Sequence, residues 1–228
     1  MANLKITPRG HGNARGKDVF EQILRAAFNV LVEHGSSSLT LGRIAEECGM
    51  KTGNISYYFA TKEDLLHELI EAIVNNYLDI TNKIVGDQRY TSSQHLLQFI
   101  SLVLDDLKTK ETTHIFPDLW AQANHDPFVK DRVEDIFRRS RAALITMLAD
   151  INPDLPEDER ETLALFMQAS LEGLTVFAGY GKEGVDRMEW FKRLAEMSFL
   201  HLARNIKPGE MRNALDLPKN ERRSVSPG

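Results

Sequence analysis

Between Asp18 and Ile206 the chain carries apolar residues at helical spacing, and no run alternates in the way a strand leading into a hairpin would. The punctuation is Gly86, Pro117, Pro127, Asn-Pro-Asp-Leu-Pro at 152–156 and Gly-Tyr-Gly-Lys-Glu-Gly at 179–184. Such a pattern predicts an all-α protein. Phe20, Ile23, Leu24, Ala27, Val30 and Leu31 mark an amphipathic helix over 18–34, stopped by Gly35. Thr40 is placed to cap a helix of two turns with Leu41, Ile44, Ala45 and Cys48 inward, and Gly49 ends it. Thr52 is expected to cap a third, short helix that ends near Phe59. Thr61-Lys62-Glu63-Asp64 matches the capping-box signature and opens a long helix to Val85. Further helices are expected at 91–109, 115–124, 127–150, 157–179 and 185–206. Residues 1–16 read as a flexible basic arm and 207–228 as a polar, aperiodic, disordered tail.

The segment Cys48–Leu66 carries the chemistry. Ile55 and Phe59 lie within about 40° of each other on a helical wheel and face the Ile44/Ala45 side of the preceding helix. Gly53, Asn54 and Tyr57 fall on the other side, flanked by Tyr58. Two short helices joined by a tight glycine turn, the second exposed, make a helix-turn-helix whose second helix fits a major groove about 12 Å wide. Gly53 permits close approach to base edges, and Thr52 and Asn54 supply donors and acceptors. Thr40, Arg43, Lys51, Tyr57 and Lys62 suit phosphate contacts.

Charge is divided along the chain in the same sense. The net charge is −5, yet residues 1–62 hold eight basic against five acidic residues and the rest twenty against twenty-eight. A cationic head on an acidic body matches a protein that meets an anion at one end. The single cysteine, Cys48, excludes an internal disulfide and a cysteine-rich zinc site, and fits a reducing cytoplasm. The first residues lack an apolar run and no stretch approaches the length needed to span a bilayer, so neither a signal peptide nor a membrane partner is expected.

The stretch LTLGRIAEECGMKTGNISYYFATKEDLL resembles the DNA-binding signature of the tetracycline-repressor (TetR) family of bacterial transcriptional regulators. Thr40, Ile44-Ala45, Gly49, Tyr57-Tyr58-Phe59, Lys62 and Glu63 carry the likeness, which covers residues 18–66. Ser56 departs from it, since many relatives carry an aromatic there. The resemblance implies a helix-turn-helix DNA-binding domain over 17–62, with base reading by Thr52, Gly53 and Asn54 and phosphate contacts from Thr40, Tyr57 and Lys62. It also implies a helical body over 63–206 that binds a small-molecule effector and pairs into a homodimer, no cofactor, and a repressor released from a palindromic operator.

For the effector cavity the aromatic supply of the body offers Phe99, Phe116, Trp120, Phe137, Phe166 and Phe177, joined by Val103 and Gln122. For the dimer surface, Leu163, Met167, Ser170, Leu171 and Leu174 form a stripe on one helix, and Gly173 permits close helix approach. Two rival classes fit parts of the sequence. His125-Asp126 is the pair that an all-helical metal-dependent phosphohydrolase would use, although Pro127 directly after it suits a helix start capped by Asp126. A helical protein–protein adaptor could present the same short exposed helix, and salt-sensitive binding to duplex DNA separates it from a regulator.

Overall fold

A computed structural model describes residues 14–213, and every regular element among them is a helix. The head is formed by α1 (Ala14–His34), α2 (Leu41–Cys48) and α3 (Thr52–Tyr58), with a 3-10 turn at Ser36–Ser38. From it α4 (Lys62–Val85) runs into a body of α5 (Ser92–Leu107), α6 (Lys110–Ala123), α7 (Pro127–Ile151), α8 (Glu157–Ala178) and α9 (Met188–Asn205). A last turn, α10, spans Glu210–Asn213.

The local signals explain most boundaries. Gly35 (φ 74°) and Gly49 (φ 65°) end α1 and α2 in backbone conformations that side chains disfavour. The Thr61 hydroxyl accepts from Asp64 N at 3.0 Å, and the Asp64 carboxylate accepts from Thr61 N at 3.1 Å, which closes the capping box of α4. Thr91 and Gln94 repeat the device at α5. Asp126 caps α7 by accepting from Phe128 N at 2.8 Å and Val129 N at 3.3 Å.

Four expectations shift. The first helix begins at Ala14 rather than at Asp18. Lys51, not Thr52, is the cap residue of α3, and Thr52 is its first helical residue. The helix expected at 115–124 already starts at Lys110, because Thr109 caps it and accepts from Thr112 N; Pro117 sits inside. Its ring forgoes one backbone bond but does not break the helix. The polar tail expected from residue 207 is ordered as far as Asn213. Gly209 N donates to both carboxylate oxygens of buried Glu159, at 2.9 and 3.1 Å. Residues 1–13 of the expected arm and 214–228 of the expected tail lie outside the described residues.

Two apolar clusters hold the molecule. The first joins Phe20, Ile44, Ile55 and Phe59 of the head to Leu65 and Leu69 of α4, Ile115 of α6 and Val129 of α7. The second joins α5, α7, α8 and α9 through Ile100, Leu148, Met167 and Phe199. Burying each such side chain contributes about 1.5–3 kcal/mol relative to leaving it exposed. The first cluster crosses residue 62, so the head has no core separate from α4, and α7 belongs to both clusters. No described helix is long and apolar enough to cross a membrane.

The α8–α9 connection is fixed onto α5 and α6. Tyr180 N donates to Leu107 O at 3.0 Å and to Thr113 Oγ1 at 2.9 Å. A Cβ on Gly179 would stand 2.7 Å from Thr113 Oγ1 and 2.8 Å from Thr175 O. Gly179→Ala therefore lowers stability by about 1–3 kcal/mol through overpacking. The urea midpoint measures this, and an unchanged midpoint would mean the connection relaxes freely.

Candidate nucleic-acid interface and cavity

The head presents one face outward. Ile55 is fully buried and Phe59 is buried against Phe20, their rings 5.1 Å apart. This pins α3 from inside. Lys51, Thr52, Gly53, Asn54 and Ser56 are exposed, and Tyr57 is 82% exposed. At that exposure its ring is outside the apolar core of its own chain. Tyr58 is half-buried and meets Tyr57 edge-on at 5.2 Å. Ser56 Oγ donates to Thr52 O at 3.2 Å, so it folds back on its own helix. Gly53 has open space where a Cβ would be, and nothing in this chain requires a glycine there. A glycine inside a helix costs about 1 kcal/mol against alanine, and no contact within this chain offsets that cost at Gly53.

Thr40 and Arg43 stand at the start of α2, both exposed, with the Thr40 hydroxyl accepting from Arg43 N at 3.2 Å. Lys62 is half-buried, and its ammonium donates to Ser36 O at 3.2 Å. It thus ties the first residue of α4 to the turn after α1. That turn is also held from the body. Asp118 of α6 accepts from Ser36 N and from Ser36 Oγ, each at 2.7 Å. A ring nitrogen of His114 bonds Val32 O at 2.8 Å, and Lys110 pairs with Glu33. One side of α6 therefore grips the head.

The other side of α6 lines a small, partly open cavity of about 50 Å³ between helices α4–α8. Phe99, Phe116 and Phe137 form aromatic walls with Tyr77, and Val103 lies among them. Tyr77 Oη donates to Asp106 Oδ2, and Thr112 Oγ1 donates to the same oxygen at 2.7 Å. Glu172 of α8 completes the wall. Desolvation, with Asp106 adding its negative charge, pushes the Glu172 carboxyl up to about 7. Burial, then Asp106, also pushes the Tyr77 phenol well above its ordinary range. Of the residues named from sequence, Phe99, Val103, Phe116 and Phe137 line this cavity. Trp120 stacks behind Phe116 and Phe137 at 6.3 and 6.4 Å, and Gln122 lies off the wall.

Phe166 and Phe177 do not line it. They are 54% and 72% exposed on the outer face of α8. Conversely Leu163, Met167 and Leu171, read as dimer surface, are buried in the second cluster, with Ser170 and Leu174 half-buried beside them. The outer face of α8 runs through Phe166, Gly173 and Phe177, and α9 adds Trp190 (74% exposed), Leu194 and Met197. Sequence reading missed Tyr77, Asp106, Thr112 and Glu172. The available signal was Glu172, an acid set between Leu171 and Leu174 in an apolar stripe. His125-Asp126 forms no metal centre. Asp126 is spent on the α7 cap, His125 is exposed, and no group of metal-ligating side chains exists among the described residues.

Comparison with known proteins agrees with this geometry. Residues 23–69 match the family model described as bacterial regulatory proteins, tetR family, and residues 93–197 match that of the BetI-type transcriptional repressor, C-terminal. The HTH-type transcriptional regulator BetI of Klebsiella pneumoniae (strain 342) is 24% identical over 82% of this chain and 93% of its own length. BetI of Escherichia coli (strain K12) is 23% identical over 73% and 85%. A transcriptional regulator from Saccharomonospora viridis, solved in complex with choline, superposes with a TM-score of 0.70 at 20% identity over 83% of this chain and 97% of that one. A TetR transcription regulator from Haloarcula marismortui gives 0.68 at 20% identity over 80% and 96%. At such identity the structural likeness speaks for the fold.

Proposed function

Since the chain belongs to the TetR family of bacterial regulatory proteins, we propose that this ligand-responsive DNA-binding regulator is a repressor, bound as a two-fold homodimer to a palindromic operator and released by a small organic effector. The observation that carries the proposal is the double duty of α6. One side lines the cavity through Thr112 and Phe116, and the other holds the end of α1 through Lys110 and His114 and the turn after it through Asp118. An effector that favours one position of α6 therefore biases where the head stands. By linkage, operator DNA then changes effector affinity by the same factor. The S. viridis relative, complexed with choline, supports a small organic molecule as the effector class.

At the head, Thr52, Gly53 and Asn54 read base edges, while Thr40, Arg43, Lys51, Tyr57 and Lys62 position the backbone, with Tyr58 supporting Tyr57. The domain reading that goes with this proposal is a head over 17–62, its core completed by α4, and a sensing and dimerising body over 63–206. The test is anisotropy of the purified protein on duplexes tiled across the DNA flanking its gene, as a function of salt. A steep fall of affinity with salt, and a preference for one palindrome with half-sites about 10 bp apart or a multiple of that, is the expected result. Binding that is insensitive to salt and sequence returns the adaptor reading.

Gly53→Ala separates folding from recognition. The variant is more stable by a fraction of about 1 kcal/mol, because a glycine in the first turn of α3 is removed where space is open. It nevertheless loses about 1–3 kcal/mol of discrimination for the operator, because the added methyl meets a base edge. Thermal melts and competition anisotropy measure the two quantities, and equal affinity for operator and scrambled duplex ratios in both proteins would remove Gly53 from the interface.

A further inference from the structure

Resting on the reading of this chain as a dimeric operator binder, we propose that a strap between α4 and the start of α7 sets the half-site spacing that the operator must have. His67, Glu71, Asp126, Phe128 and Arg132 then determine specificity without touching DNA. The carboxylate of Asp126 serves both helices. Its Oδ1 accepts from Phe128 N and Val129 N to cap α7, and its Oδ2 stands 3.6 Å from His67 Nε2 of α4. The His67 ring stacks on Phe128, with centroids 3.8 Å apart and planes 23° from parallel. One turn further along both helices, Arg132 Nη1 donates to Glu71 Oε1 at 3.3 Å. Its guanidinium carbon lies over the Phe128 ring at 5.8 Å. The ring of Phe128 is thus shared between an imidazole of α4 and a guanidinium that is itself paired to α4. All five residues are half-buried, so these contacts lose less to water and salt than fully exposed pairs do. A stacked ring also resists sliding and tilting of one helix on the other.

Fixing α4 fixes the head. Leu65 and Leu69 share one apolar cluster with Ile44, Ile55 and Phe59, so the first turns of α4 and the recognition helix move together. At the other end of the chain of contacts, α7 has 25 residues and is about 37 Å long at 1.5 Å per residue. Its start belongs to the cluster of the head through Val129 and Val133. Its end belongs to the second cluster through Leu144 and Leu148, together with Met167 of α8 and Phe199 of α9. The rod therefore runs from the lever to the two helices that carry the outer apolar face. In a two-fold homodimer paired through that face, the place of each head relative to the symmetry axis is set where α4 meets α7. Any tilt there is repeated in the second copy. On the DNA side, one base pair moves a half-site by about 3.4 Å and turns it by about 35°. A small change of α4 at the strap is thus equivalent to a change of a base pair or two in the operator.

The experiment uses the full chain on the palindromic duplex selected by tiling, and on versions with the half-sites moved together or apart by one and two base pairs. A duplex with a single half-site reports the head alone. Competition anisotropy gives each affinity. Wild type loses about a hundredfold when the spacing is wrong by two base pairs, because both heads no longer bind at once. Phe128→Leu keeps apolar volume but removes the stack, and Arg132→Glu sets two acids side by side. In each, the penalty for wrong spacing shrinks to about tenfold or less, while affinity for the single half-site stays that of wild type. Adding Glu71→Arg to Arg132→Glu restores the pair with its charges exchanged and brings the penalty back. Simple loss of stability would instead lower all affinities together and leave their ratios unchanged. The inference is overturned if Phe128→Leu keeps the wild-type penalty, if the charge exchange restores nothing, or if wild type itself is indifferent to spacing. Far-UV dichroism checks the fold, and Phe128→Leu decides alone where Arg132→Glu does not fold. Salt-sensitive binding to the palindrome with an unchanged penalty sinks this inference alone, whereas absence of DNA binding sinks the regulator reading.

Discussion

Changing Phe177 and Trp190 together to glutamate turns the protein into a folded monomer and lowers its operator affinity at least about a hundredfold. The two side chains are 72% and 74% exposed, and Phe166, Leu194 and Met197 continue the patch at 54%, 58% and 64%. Soluble chains seldom leave so many large apolar groups together in water without a partner. Gly173 lies between Phe166 and Phe177 on this face with open space over it, so a second helix can come close. The occupant that suits a two-helix apolar face of this kind is a second copy, α8 and α9 pairing with their twins into four helices. Large aromatics at the centre of such a face act as hot spots worth about 2 kcal/mol or more each. Burying glutamates there adds the desolvation of charge. The fold itself is spared, because neither ring belongs to either apolar cluster. DNA binding falls because two linked heads gain avidity that one head lacks. Sedimentation velocity reads the assembly, far-UV dichroism the fold and anisotropy the DNA. A variant that sediments as a dimer would move the interface elsewhere.

That interface shows where sequence reading stops. Its helix, α8, is apolar on two faces, and the spacing that marks Leu163, Met167 and Leu171 marks Phe166 and Phe177 equally well. Only the neighbours supplied by α5, α7 and α9 decide which set turns inward. The head was legible because its determinants are local. Thr40 and Thr61 cap, Gly49 turns, and Ile55 and Phe59 recur four residues apart, all within a window of about two dozen residues. The hold of α6 on the head depends instead on pairs 82 residues apart, Asp118 with Ser36 and His114 with Val32, which no local pattern encodes. At Pro117 a local rule misled: the proline suggests a helix start, but the Thr109 cap one turn and more upstream had already begun the helix. Three of the cavity residues, Phe99, Phe116 and Phe137, were readable from aromatic content. Tyr77, Asp106 and Glu172 were not, since an acid in a helix is ordinarily a solvated one until the packing closes over it.

Glu172→Gln should therefore stabilise the empty protein, and by an amount that grows with pH. The folded carboxyl holds its proton up to about 7, against an ordinary 4.5 that stands for the unfolded chain. Between those values the folded state binds more protons than the unfolded state, so wild-type stability falls as pH rises through that window. Below it both states are protonated and the variant gains nothing. Above about 7 the whole cost is present, about 3 kcal/mol, and glutamine avoids it while keeping the shape of the side chain. For a chain of this size that is a rise in Tm of about 6–12 °C at about pH 8. Tyr77 cannot imitate the effect, because its phenol is raised, so it remains protonated across the window. Melts of both proteins from about pH 4 to pH 8 test this, and parallel curves would show that Glu172 ionises like a surface acid.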